Sequence, residues 1–155
     1  MRQYPVVLEV KPTGEGCQVQ ATTSIERALE NGRSLQAELR CIEVDYQVTL
    51  SAVKQALASG VRGRLGDPRA FWFAGMHLGE FLRRLESHGF YLVGKNTTPA
   101  KHLGMSRASV EKILAFYRRY EDPFKIDASV AWCKYRDNKE AGACTYCVEG
   151  KRENK

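Results

Sequence analysis

Apolar and polar residues alternate in short runs at the start of the chain. Residues 4–11, YPVVLEVK, and 17–22, CQVQAT, each read as a strand, and Thr13-Gly14-Glu15-Gly16 between them reads as a turn. Together they predict a β-hairpin. Residues 24–31, SIERALEN, predict a short helix with Ser24 as its cap and Gly32 as its stop. From about Leu39 to Leu50 the alternation returns, and it predicts a long strand. The opening residues therefore predict a small, mostly antiparallel sheet with one helix.

The period changes after Leu50. Ser51 to Ser59 has helical spacing and ends at Gly60. The segment 60–67, GVRGRLGD, is rich in glycine and arginine and reads as a mobile basic linker. Asp67-Pro68 then opens a helix, with Asp67 as cap and Pro68 in the first turn. It runs to about His88 with Phe71, Trp72, Leu78, Phe81, Leu82 and Leu85 as its apolar face, and Gly89 stops it. A short apolar stretch, FYLV, and a turn at Gly94-Lys95-Asn96 lead to two further helices. The second covers about Arg107 to Tyr120, and Pro123 bars its continuation. The fold class is α+β: a small antiparallel sheet followed by a helical region. Three parts are expected: 1–60, a sheet and helix region for dimerisation or partner binding; 61–140, a helical binding region; and 141–155, a cysteine-containing, partly disordered tail.

The last two helices carry a helix-turn-helix spacing. Ala100 is followed by Gly104, then by Val110 and Ile113. A small residue is needed where the second helix crosses the first. Glycine permits a left-handed turn. Val110 and Ile113, three apart, share one buried face. Leu103 and Met105 flank the glycine and point into the same core. A helix presented in this way enters the DNA major groove. On it, Val110, Ile113, Leu114 and Tyr117 are expected inward, and Arg107, Ala108, Ser109, Glu111, Lys112 and Ala115 outward. Arg107 and Ser109 lie where side chains reach base edges. Ser106 caps the helix and can present its N–H to a phosphate. Thr97, Thr98 and Lys101 sit where backbone contacts fall, and Arg118 and Arg119 at the far end either bind backbone or only solvate the helix end. An ordinary helical hairpin with a glycine turn has the same spacing, and Glu111 on the reading face repels phosphate.

Charge sharpens that choice. The net charge is +6. Residues 1–60 carry six Lys/Arg against seven Asp/Glu, 61–125 carry twelve against six, and 126–155 carry six against five. The positive excess thus lies in the segment with the helix-turn-helix spacing, where phosphate neutralisation requires it. No apolar run approaches the ~20 residues that cross a bilayer, and MRQYPVVLEVK lacks the pattern of a secretory signal. Five scattered cysteines fit a reducing compartment. A cytoplasmic protein of bacterial type, with no membrane partner, is expected.

The stretch from His88 to Leu114 resembles the Fis-type helix-turn-helix. His88-Gly89, Thr98, Ala100, Leu103-Gly104 and Ser106-Arg107 carry the match, although the interval from Gly89 to Thr98 is longer than in that family. Residues 69–140 are also similar, more loosely, to a helical amino-terminal domain of some restriction-like nucleases, through Phe71, Trp72, Gly75, Phe116-Tyr117, Tyr120 and Trp132 to Tyr135. Both resemblances imply a DNA-binding helical module, and the second implies no nuclease activity for this region.

Other chemistries are thinner. Glu9-Val10-Lys11 has the E-x-K form of a nuclease metal arm and would need a further acid such as Asp45. The same alternation suits any half-exposed strand. Cys144 and Cys147 form a C-x-x-C unit that Cys133 and one of His77, His88 or His102 would complete as a zinc site. Plain reduced thiols are the simpler alternative, so no cofactor is expected beyond that zinc ion. The aromatics Phe71, Trp72, Phe73, Phe81, Phe90 and Tyr91, interleaved with Arg69, Arg83 and Arg84, suit either base stacking or a core. No Ser-His-Asp order, phosphate-cradling loop or carboxylate pair marks an enzyme. The sequence therefore predicts a DNA-binding helix-turn-helix protein. It would be a small regulator or part of a mobile-element or defence system, acting on double-stranded DNA as a homodimer or in a larger nucleoprotein complex. A protein-interaction module and a metal-dependent nuclease are the alternatives.

Overall fold

A computed structural model describes residues 6–13, 16–21, 35–60 and 67–136. The hairpin forms as its alternation predicts. Strand β1 (Val6–Thr13) pairs antiparallel with β2 (Gly16–Ala21), with Val10 opposite Val19 and Leu8 opposite Ala21. Val6, Leu8, Cys17 and Val19 are buried, while Glu9, Lys11 and Gln18 are exposed.

The segment 39–50 is helical, contrary to its strand-like alternation. It lies inside one long helix, α1 (Leu35–Gly60). The segment contains two periods at once. Ile42, Tyr46, Leu50 and Val53 recur at helical spacing and are buried, whereas Val44 and Val48 remain 61% exposed. A strand would have put Ile42, Val44, Tyr46, Val48 and Leu50 on one face. The helix buries the larger residues against the sheet and the next helix and leaves two valines outside. Packing overrides the strand preference of these β-branched residues.

The third strand comes from the apolar stretch after Gly89. Strand β3 (Phe90–Leu92) lies parallel to β1, with Val6 beside Phe90 and Leu8 beside Leu92, so the sheet order is β2-β1-β3. This strand occupies the long interval between Gly89 and Thr98.

Before it runs α2 (Pro68–Ser87), with Pro68 at its first position and Asp67 Oδ1 accepting from the Arg69 N–H at 2.9 Å. Its predicted apolar face is buried throughout. Gly89, at φ 79°, ends the helical path just beyond it. Helices α3 (Thr97–Leu103) and α4 (Arg107–Arg119) follow. A 3-10 turn at Pro123–Lys125 then leads to α5 (Trp132–Arg136). One core runs from Val6 and Leu8 through Tyr46 and Phe81 to Val110, Phe116 and Trp132. The expected helix at 24–31 with Ser24, most of the 60–67 linker, and the tail with Cys144 and Cys147 lie outside the described residues.

Helix α2 supports α4 at close range. A Cβ on Gly75 would fall 2.6 Å from the Ile113 carbonyl oxygen and 2.9 Å from Tyr117 Cβ. One turn on, a Cβ on Gly79 would lie 3.0 Å from the Tyr117 ring. Trp72 Nε1 donates to the Tyr120 carbonyl at 2.8 Å, tying the end of α4 to α2.

Candidate nucleic-acid interface

The turn between α3 and α4 is built by backbone chemistry. Gly104 adopts φ 66°, ψ 32°. Its N–H donates to the Lys101 carbonyl at 3.3 Å, and the Met105 N–H donates to the Ala100 carbonyl at 2.9 Å. These two bonds form the Schellman closure of a helix. Among the described residues, none beyond its chain neighbours lies within 4 Å of a Cβ placed on Gly104, so its left-handed φ is what requires glycine. Ala100, Val110 and Ile113 are all buried, and Leu103 and Met105 pack against the same core.

Helix α4 begins at a capped end. Ser106 Oγ accepts from the Ser109 N–H at 3.1 Å, and the two hydroxyls bond at 2.9 Å. Ser109 is therefore turned toward the cap and is half-buried. Along the outer face, Ala108, Lys112, Ala115 and Arg119 are exposed at successive helical turns, with Arg118 beside them. Small and basic side chains alternate on this stripe. The inward face holds Val110, Ile113 and Leu114 as expected, and also Phe116. Phe116 packs against Trp132 at 5.1 Å and Tyr135 at 5.2 Å between ring centroids. Tyr117 is half-buried, and its hydroxyl donates to Glu80 Oε1 at 2.7 Å. Phe116 was missed because its partners come from α5, which no local pattern links to α4.

Arg107 and Glu111 are joined. Arg107 Nε donates to Glu111 Oε1 at 2.8 Å, and Asn96 Nδ2 reaches the same oxygen at 3.4 Å. The Arg107 guanidinium, and then the Asn96 amide, hold the Glu111 carboxyl below the usual carboxylate range. The network thus ties the residue before α3 to the first turns of α4. Thr97 and Lys101 are exposed one turn apart on α3, while the Thr98 hydroxyl donates to the Val93 carbonyl at 3.1 Å. The residues expected to face DNA are thus gathered on the α3–α4 surface, except that Thr98 and Ser109 are largely committed to local structure.

The other candidates are dispersed. Cys133 is fully buried in α5 beside Ala131. Among the described residues no group of three or more His, Cys, Asp or Glu side chains is placed to hold a metal ion. His88 Nδ1 donates to the Arg84 carbonyl at 2.8 Å. His102 Nδ1 lies 2.7 Å from the Tyr46 hydroxyl. Glu9 and Lys11 are exposed on β1, whereas Asp45 on α1 is bound to Arg84 at 2.9 Å. Of the aromatic set, Phe71, Trp72, Phe81 and Phe90 are buried, and Phe71 stacks on Trp132 at 4.2 Å. They are core residues. Arg69, Arg83 and Arg84 pair with Asp67, Glu80 and Asp45. No described helix is long and apolar enough to cross a membrane. No protein-family model matches the chain, and no curated protein or solved structure is significantly similar to it.

Proposed function

We propose that this protein binds double-stranded DNA through α3 and α4, as a small regulator or as a component of a mobile-element or defence nucleoprotein system inside the cell. One observation carries the reading: an α3–turn–α4 unit whose outer stripe, Ala108, Lys112, Ala115 and Arg119, is exposed, small and basic. Small residues let a helix approach the groove floor, and cations neutralise the phosphates that flank it. Arg107, at the first position of α4, reaches a base edge. Lys101, Arg118 and Arg119 take the backbone. A homodimer would place two such helices on successive half-sites.

The test is affinity for a random duplex across a salt series. Genuine binding gives a log–log slope of about −0.9 per phosphate neutralised. Lys112→Ala is expected to weaken all sequences alike and to reduce the slope by about 0.9. Absence of binding at low salt would reject the reading. It would favour a protein-interaction module, for which the 61% exposure of Val44 and Val48 on α1 is the supporting observation.

A further inference from the structure

The Arg107–Glu111–Asn96 network is unusual on a face that must approach a polyanion. Glu111 places a negative charge there, and Arg107, the best base-reading side chain, is bound to it. Asn96 makes the arrangement more telling. Its Oδ1 is buried and has no hydrogen-bond partner among the described residues. A buried acceptor without a partner is disfavoured. Turning the amide over would put that oxygen against the Glu111 carboxylate instead. Asn96 therefore keeps its Nδ2 on Glu111 while its own acceptor stays unsatisfied, and the carboxylate is held from two sides.

The geometry has a direction. Glu111 engages the Nε of Arg107. The terminal nitrogens of the guanidinium lie at the far end of a side chain that is 67% exposed. Those nitrogens form the fork that bonds guanine O6 and N7. A carboxylate on Nε fixes the guanidinium plane and opposes its swing toward a phosphate. We infer that Glu111, held by Asn96, positions Arg107 to read a guanine and withholds it from the phosphate backbone, so that the target contains a G·C pair at the position facing Arg107. The inference rests on the DNA-binding reading above. It adds that Glu111 trades general affinity for discrimination.

The experiment is selection from a randomised duplex pool, followed by affinity and salt-slope measurements on a selected and a random duplex. It uses the full chain, Glu111→Gln, Arg107→Lys and the double variant Arg107→Ala/Glu111→Gln. The wild type should enrich one G·C position by about tenfold or more. Arg107→Lys keeps the charge but loses the fork, and should lose that enrichment while retaining random-duplex affinity. Glu111→Gln should bind the random duplex about threefold more tightly. It should also steepen the random-duplex slope by about 0.9, because Arg107 then reaches a phosphate. The double variant should lose that added slope. Circular dichroism of each variant checks that α4 is intact. If the wild type binds duplex but Glu111→Gln leaves slope and discrimination unchanged, the inference falls and the DNA-binding reading stands. If the wild type binds no duplex at low salt, both fall.

Discussion

Tyr46 is fully buried, yet it carries a hydroxyl. Left without a partner, that group would cost about 1–3 kcal/mol. His102 supplies the partner at 2.7 Å, so one hydrogen bond joins α1 to α3. Burial pushes the Tyr46 phenol well above its ordinary range, so it stays protonated. Burial first, and then the Lys54 and Lys101 charges, hold His102 below its ordinary range, partly opposed by the Thr98 backbone. The fold thus prefers neutral His102, and the unfolded chain binds a proton there more readily. The associated stability is complete above pH ~6.5 and is lost as the pH falls from there through the lower folded-state value. Denaturant midpoints between pH 7.5 and 5 should fall more steeply for the wild type than for His102→Gln. Equal slopes would show that His102 titrates alike in both states. Glu80 and Glu111, whose carboxyls are lowered by partners, act only at more acidic pH.

The helices α2 and α4 meet where Gly75 has no side chain. The atom a Cβ would strike is a backbone oxygen, which cannot swing aside. Gly75→Ala is therefore expected to destabilise by about 1–3 kcal/mol, although alanine favours a helix by about 1 kcal/mol over glycine. Gly79→Ala should cost less, because the Tyr117 ring it meets can tilt. Chemical denaturation decides both, and a stabilised Gly75→Ala would mean that the helices can part freely. Neither contact is visible in the spacing of the sequence, whereas the ends of these helices are. Asp67, Gly89, Gly104 and Ser106 act within one turn of themselves, so α2, the turn and α4 were legible from local chemistry. The region 39–50 was not, because its residues satisfy two periods and only the partner surface chooses between them. The parallel edge strand at Phe90–Leu92 was equally hidden, since its place beside β1 depends on two helices folding back first. At the site, the spacing gave Arg107 and Glu111 one face, but the reach of Asn96 from the preceding turn depends on the tertiary path. For Ser109 the spacing pointed outward, and the cap at Ser106 turned it aside.

At the scale of the whole molecule, a continuous core joins the sheet to the helical unit. Its parts should unfold together in one cooperative transition. The two exposed valines of α1 acquire their meaning there. While the helix persists, Val44 and Val48 stand apart on its solvent face. Once it melts, LRCIEVDYQVTL, residues 39–50, is a proline- and glycine-free run that fits an extended ribbon. Ile42, Val44, Tyr46, Val48 and Leu50 then form one apolar edge. Such ribbons stack between chains as cross-β assemblies. Val44→Glu with Val48→Lys should leave the midpoint nearly unchanged, because both sites already face solvent, and should slow light scattering after a heat pulse. Unchanged scattering would assign the aggregation to another segment. The native helix is thus also a safeguard, sequestering a segment that becomes adhesive when it is extended.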